Sequence, residues 1–73
     1  MELSNLQEGM IIQYILPLSM RLTQPQKRWR GVILRVYRSS FGTVIGGVKV
    51  RILEPGYEED TELVFPYQIK AIE

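Results

Sequence analysis

The amino-acid sequence predicts a small all-β domain with five strands and one short 3-10 turn before the last strand. Short runs rich in β-branched and aromatic residues recur along the chain. The clearest run places Val48, Val50 and Ile52 at alternate positions, which is the period of a half-buried strand. No stretch of useful length repeats with a helical period. A chain of 73 residues has the size of one domain, so residues 1–73 are assigned to a single folding unit.

Prolines, glycines and serines separate the predicted strands. In chain order, these strands span residues 10–16, 28–38, 43–53, 62–65 and 69–72. Pro17 stops the first strand, and a long polar loop with a second proline follows. Gly46-Gly47 indicates a bulge, a bend or an early loop in the third strand. Pro66 begins the turn before the last strand, and residues 1–8 are expected to be a loosely ordered N-terminal segment.

Two strands carry alternating sets of residues, from which the inner and outer faces are predicted. In the second strand the residues expected to face the core are Val32, Leu34 and Val36. The residues that would then point outward from this strand are Trp29, Ile33, Arg35 and Tyr37. In the third strand, the inward set begun by Val48 leaves Lys49 and Arg51 on the outer face.

Five short strands in so small a domain cover their edges economically by curling into a barrel. The segment 63–72, with the sequence LVFPYQIKAI, is similar to the strand, proline-marked turn and last strand that close SH3-like barrels. The segment 29–36 resembles the second strand of bacterial members. The chain after Gly9 therefore resembles the SH3-like β-barrel superfamily, and this resemblance implies a five-stranded SH3-like barrel. No specific family is assigned, because such a fold hosts many functions.

The long loop separates this chain from SH3 domains that bind proline-rich peptides. Those domains carry an aromatic-rich first strand followed by an acidic loop. Residues 17–27 contain neither an acidic nor an aromatic residue. Recognition of basic, proline-rich peptides is therefore not expected.

The composition argues against an enzyme. The chain has no His and no Cys, so it lacks the commonest general base, a thiolate nucleophile and thiolate ligands for zinc. The acidic run Glu58-Glu59-Asp60 with Glu62 falls in a predicted hairpin turn and does not follow the spacing of a calcium loop. We therefore predict no catalytic residue, no cofactor and no metal, and a solvated acidic turn.

The start of the chain and its apolar runs favour a cytoplasmic protein with no membrane partner. The first eight residues carry two acids, Glu2 and Glu8, and no base, whereas a signal peptide begins with positive charge. No apolar run approaches the roughly 20 residues that span a bilayer. The lack of cysteine fits a reducing compartment.

Charge is segregated along the chain, although the net charge is only +1. Between Gly9 and Leu53 there are eight basic residues and no acidic residue. From Glu54 onward there are six acidic residues and one base, Lys70. A stretch of one sign and this length indicates a basic surface for an anionic partner.

If the second and third strands pair as antiparallel neighbours, their outward residues form one basic and partly aromatic face. The candidate partner-binding residues are Lys27, Arg28, Trp29, Arg30, Arg35, Tyr37, Lys49 and Arg51. Such a face suits an acidic protein or a larger protein complex, with charge steering and an aromatic anchor. It also suits nucleic acid, through stacking on bases and contacts to phosphates. The third interpretation is a solvated face without a partner.

The low net charge and the acidic hairpin favour the protein partner over nucleic acid. Two interpretations of the corner around Trp29 stay open. Three cations around one Trp can form an anion-binding corner, or the Trp can plug one end of the barrel while Lys27, Arg28 and Arg30 lie on the surface. The plug is the preferred interpretation for Trp29.

Overall fold

The computed structural model describes residues 3, 5–16, 28–39 and 44–73. In these ranges, five antiparallel strands form one sheet. The strands are β1 (Ile11–Tyr14), β2 (Trp29–Arg38), β3 (Ile45–Ile52), β4 (Thr61–Val64) and β5 (Ile69–Ile72). A 3-10 turn over Pro66–Gln68 immediately precedes β5. The predicted all-β class, the number of strands and the turn before the last strand are confirmed.

The strands follow one another as neighbours until the last, which returns to the first. Their order in the sheet is β4-β3-β2-β1-β5, so β4 and β5 lie at its two ends. Each of the four neighbouring pairs is antiparallel. In the described ranges no ladder joins β4 to β5, and closure into an SH3-like barrel stays a prediction.

In the first half of β2, the residues that face the core are the ones predicted to point outward. Ile33 is only 1% exposed, whereas Val32 and Leu34 are half-buried. The prediction that Val32 and Leu34 point into the core and Ile33 points outward is therefore wrong. The prediction holds again beyond this point, because Val36 packs against the core.

A bulge explains why the two halves of β2 differ. Ile33 pairs with Val50 of β3, but the next pair joins Arg35 to Lys49, so Leu34 is an extra residue on β2. One extra residue exchanges the inward and outward positions of a strand because its side chains alternate with period two. Arg35 consequently points outward as predicted, although the residues before it do not follow the predicted alternation.

The alternation predicted for β3 is confirmed, with Lys49 and Arg51 exposed between buried neighbours. A second bulge lies near the start of this strand. Tyr37 pairs with Gly47 while Arg38 pairs with Ile45, which leaves Gly46 as the extra residue. Of the bulge, bend or early loop that the glycine pair indicates, the structure shows the bulge.

The core draws on every strand and on the segment before β1. Its buried apolar residues are Leu6, Ile12, Tyr14, Leu16, Trp29, Ile33, Ile45, Val48, Val50, Ile52, Val64 and Ile69. Part of the N-terminal segment, expected to be loosely ordered, is anchored: Leu6 is fully buried and Leu3 packs against the core. The Leu6 carbonyl accepts a hydrogen bond of 3.0 Å from Nη2 of Arg38. Gly9, at φ +90°, turns the chain into β1 in a conformation that favours glycine.

A buried tyrosine connects the core to the edge strand β4. The fully buried Tyr14 donates its hydroxyl hydrogen bond to Oε2 of Glu62 over 3.0 Å. Burial and, after it, the Glu62 carboxylate raise the pKa of Tyr14 well above its usual value. Glu62 thus reaches back from β4 toward the core, and an inward charge on an edge strand discourages pairing with other strands.

Candidate functional site

The outer side of β2 and β3 carries three exposed cations, Arg35, Lys49 and Arg51, here called the basic face. The bulge at Leu34 brings Arg35 onto this side and pairs it directly with Lys49. Two like charges opposite each other on neighbouring strands destabilise a sheet. The fold therefore tolerates a local repulsion at this position.

Acidic side chains do not neutralise this repulsion within the described residues. Neither Lys49 nor Arg51 has a salt bridge there. The Arg35 guanidinium lies 5.2 Å from the centre of the Tyr37 ring, a cation–π contact between two residues that share one side of the strand. Tyr37 itself is 40% exposed. A carboxylate from outside the chain would therefore meet three cations that lack an acidic partner in these ranges.

Three exposed apolar residues that sequence reasoning missed extend the basic face toward β4. They form what we call the apolar ridge: Leu63, Phe65 and Tyr67. Leu63 pairs directly with Lys49, and the Phe65 and Tyr67 rings are stacked 6.2 Å apart and nearly parallel. The sequence carries a signal for part of this ridge, because a core-facing Val64 requires Leu63 and Phe65 to point the other way.

A buried glutamine fixes the turn that carries Phe65 and Tyr67. The Gln68 side-chain amide donates to the Ile15 carbonyl over 2.9 Å, and its Oε1 accepts from the Phe65 backbone N–H over 2.9 Å. Gln68 is fully buried; the first bond connects the 3-10 turn to the residue after β1, and the second closes the turn on itself. The sequence does not reveal this role, because both partners are backbone groups.

An open groove of about 570 Å³ lies between the basic face and the apolar ridge. The residues that line it are Tyr37, Gly46, Gly47, Lys49, Thr61, Glu62, Leu63 and Phe65. A Cβ atom at Gly47 would lie 3.3 Å from Cδ1 of Leu63 and 3.7 Å from Cδ1 of Phe65. The lack of a side chain at Gly47 therefore keeps this part of the groove open.

The predicted basic corner before β2 is partly neutralised. Lys27 lies outside the described residues. Arg28 is exposed and donates to Oε1 of Gln13 over 3.4 Å. Arg30 forms two hydrogen bonds to the Glu73 carboxylate, at 2.6 and 2.8 Å. Because this bidentate pair occupies its guanidinium, Arg30 is less suited to bind a partner than the sequence predicts.

The ion pair between Arg30 and Glu73 predicts a measurable titration. The Arg30 hydrogen bonds hold the pKa of Glu73 below its usual 4.5. Because the folded-state pKa is depressed, the contribution to stability is present above about pH 4.5 and is lost as the pH falls through the lower folded value. In Arg30→Gln the pKa of Glu73 should return toward 4.5 when the side-chain carboxyl is followed by NMR. Arg28→Gln is the control and should leave it low, and an unchanged Glu73 pKa in Arg30→Gln would contradict the pairing.

Trp29 lies inside the structure and not on the basic face. Its side chain is 5% exposed, and the Tyr57 ring packs edge-on against it at 5.2 Å and 76°. Tyr57 belongs to the acidic loop between β3 and β4. This position fits the interpretation of Trp29 as a plug at one end of the sheet. Its outward position in the second strand, predicted from the alternation, is wrong because the bulge comes only later, at Leu34.

In the acidic loop, a glutamate side chain accepts a hydrogen bond from the loop's own backbone. The Gly56 N–H donates to Oε1 of Glu58 over 3.1 Å, and backbone N–H groups lower the pKa of Glu58. Within the part of the chain that the structure describes, no three acidic side chains are close enough to hold a metal ion. No helix in that part has the length and apolar character needed to cross a membrane.

Comparison with protein-family models, with curated proteins and with solved structures finds no match to this chain.

Proposed function

We propose that this chain is a non-enzymatic cytoplasmic binding module that docks an acidic protein, or an acidic surface of a larger complex, on its basic face. The observation that carries the proposal is the direct pairing of Arg35 with Lys49. A like-charge pair costs stability in the free protein, and a carboxylate bound between the two cations would remove that cost. Arg51 adds a third cation on the same side.

The exposed aromatic residues support a protein partner. Protein interfaces combine apolar and aromatic anchors with a charged rim. Here Tyr37 and the apolar ridge lie beside the cations, so an acidic protein could meet both kinds of contact at once. Charge complementarity would speed the encounter, and the apolar contacts would slow dissociation.

A nucleic-acid partner is the second candidate, and the stacked rings of Phe65 and Tyr67 favour it. Exposed aromatic rings beside cations suit stacking on unpaired bases. Binding of this kind weakens steeply with salt, with a slope set by the number of phosphates contacted. A titration of generic single-stranded DNA and RNA at increasing salt concentration tests this candidate.

Charge reversal tests the proposal. The variant with Arg35→Glu and Arg51→Glu should reduce capture of the partner from a lysate of the source cells by at least about tenfold, because like charges at an interface cost several kcal/mol. Folding should be unchanged or slightly stabilised, because Glu opposite Lys49 replaces a repulsive pair with an attractive one. Quantitative affinity capture and urea unfolding of the same preparations measure both effects.

Lys70→Glu is the matched control, since Lys70 is an exposed base on β5 outside the basic face. It changes the net charge in the same direction, so it should retain capture if location matters more than total charge. Wild-type capture by the folded double variant would show that the basic face is only solvated. Capture that is lost on nuclease treatment would support the nucleic-acid candidate instead.

A further inference from the structure

We infer that the groove between the basic face and the apolar ridge binds a short extended segment of an acidic protein, in which one aromatic or large aliphatic residue is flanked by carboxylates. This inference rests on the proposed function and specifies its ligand. The apolar residue would enter the groove over Gly47, and the flanking carboxylates would meet Lys49 and Arg35.

The shape of the groove defines the central residue of that segment. Its walls are the side chains of Tyr37, Leu63 and Phe65, and the gap over Gly47 exists because a glycine stands where any Cβ would touch two of those walls. Glycine weakens a strand interior and often marks a place where another group approaches closely. A large apolar side chain bound there would bury its own apolar surface and that of the groove walls, and so remove both from water.

The charges beside the groove define the flanking residues. Lys49 is one of the lining residues, and Arg35 lies over the outer lining residue Tyr37. Both cations lack an acidic partner among the described residues. The acidic lining residue, Glu62, accepts the Tyr14 hydroxyl toward the core. The charge available to a ligand on the outer side is therefore positive, which favours carboxylates next to the apolar residue.

A peptide fits these features better than a nucleic acid does. The groove is largely apolar, and a phosphate backbone gains affinity mainly from a track of cations. The basic face supplies three cations, one of which already contacts the Tyr37 ring.

Two synthetic peptides that differ at one position test the inference. Asp-Asp-Trp-Asp-Asp should bind at least about tenfold more tightly than Asp-Asp-Ala-Asp-Asp, because only the first buries an aromatic side chain. Amide shifts in NMR titrations should centre on Gly46, Gly47 and Leu63. Gly47→Val should reduce the affinity for the Trp peptide to that for the Ala peptide, because its branched side chain fills the gap below Leu63.

Leu63→Ala is a second variant, since it removes a wall of the groove at a residue that is 48% exposed and outside the core. It should also reduce the preference for the Trp peptide, whereas Lys70→Glu should leave that preference intact. The NMR spectrum of each variant confirms that it is folded. If Gly47→Val and Leu63→Ala both keep the full preference, the inference is overturned.

The outcomes separate this inference from the proposed function. Equal binding of the two acidic peptides, lost in the Arg35→Glu and Arg51→Glu variant, would overturn the groove inference and leave the acidic partner standing. Failure of both acidic peptides, together with binding of Lys-Lys-Trp-Lys-Lys or of a short oligothymidylate, would overturn both. Preference for the Trp peptide that also disappears on charge reversal would support both.

Discussion

Replacement of Ile33 by Ala is expected to destabilise the protein by about 2–5 kcal/mol, because it leaves a cavity in the centre of the core. Ile33 is 1% exposed and pairs with Val50 across β2 and β3. A domain of 73 residues has a free energy of unfolding of roughly 4–11 kcal/mol, so this loss is a large share of the total. Urea unfolding, followed by the fluorescence of the buried Trp29, measures it.

Leu34→Ala is the matched control and tests the bulge. Leu34 is as large as Ile33 and belongs to the apolar alternation of the sequence, but it is only half-buried. Its replacement should cost about 1 kcal/mol, because part of its side chain already contacts water. A larger loss for Leu34→Ala than for Ile33→Ala would contradict the bulge and restore the alternation that the sequence predicts.

Replacement of Gly31 by Ala has the second large expected effect, a destabilisation of about 1–3 kcal/mol from overpacking. A Cβ atom at Gly31 would lie 2.9 Å from Cγ2 of Val50, 3.0 Å from its Cβ and 3.2 Å from Cε1 of Tyr14. Val50 and Tyr14 are both fully buried, so neither can move away cheaply. Thermal and urea unfolding measure the loss.

Two comparisons test whether this clash is the cause. Gly47→Ala places a Cβ 3.3 Å from Cδ1 of Leu63 and 3.4 Å from the Val64 carbonyl oxygen, both longer than the closest contact at Gly31. Because the exposed end of the Leu63 side chain can move, this change should cost much less than Gly31→Ala. Val50→Ala alone should cost about 1–3 kcal/mol, and adding Gly31→Ala to it should cost less than in the wild type because Cγ2 of Val50 is gone. Additive losses in this double-mutant cycle would contradict the proposed clash.

The basic face could be predicted in part from the sequence. The alternation around Lys49 and Arg51 is local and strict, and both residues lie where it places them. The sequence also predicts Arg35 on this face, but the alternation behind that prediction fails one residue earlier, so the position of Arg35 depends on the bulge at Leu34. A bulge is a feature of the pairing between two strands, and neither strand's own sequence determines it here.

The apolar ridge and the groove could not be predicted from the sequence, because both depend on which strands pair in the sheet. Leu63 is a neighbour of Lys49 only because β3 pairs with β4 in one register. In the sequence, Gly47 indicates only a bulge, a bend or an early loop. Its lack of a side chain also leaves an open space below Leu63, and this space forms only because β4 lies beside β3. These are contacts between residues far apart in the chain, which period and composition do not encode.

The sequence by itself determined the elements of this protein: five short strands, the turn at Pro66, and the segregation of basic and acidic residues. These follow from local preferences, because alternation and proline act over a few residues. Only the tertiary structure decided that Trp29 lies under Tyr57 and that Arg30 is paired with Glu73. The partners in each pair lie on different elements and far apart in the chain, so preferences that act over a few residues cannot select these contacts.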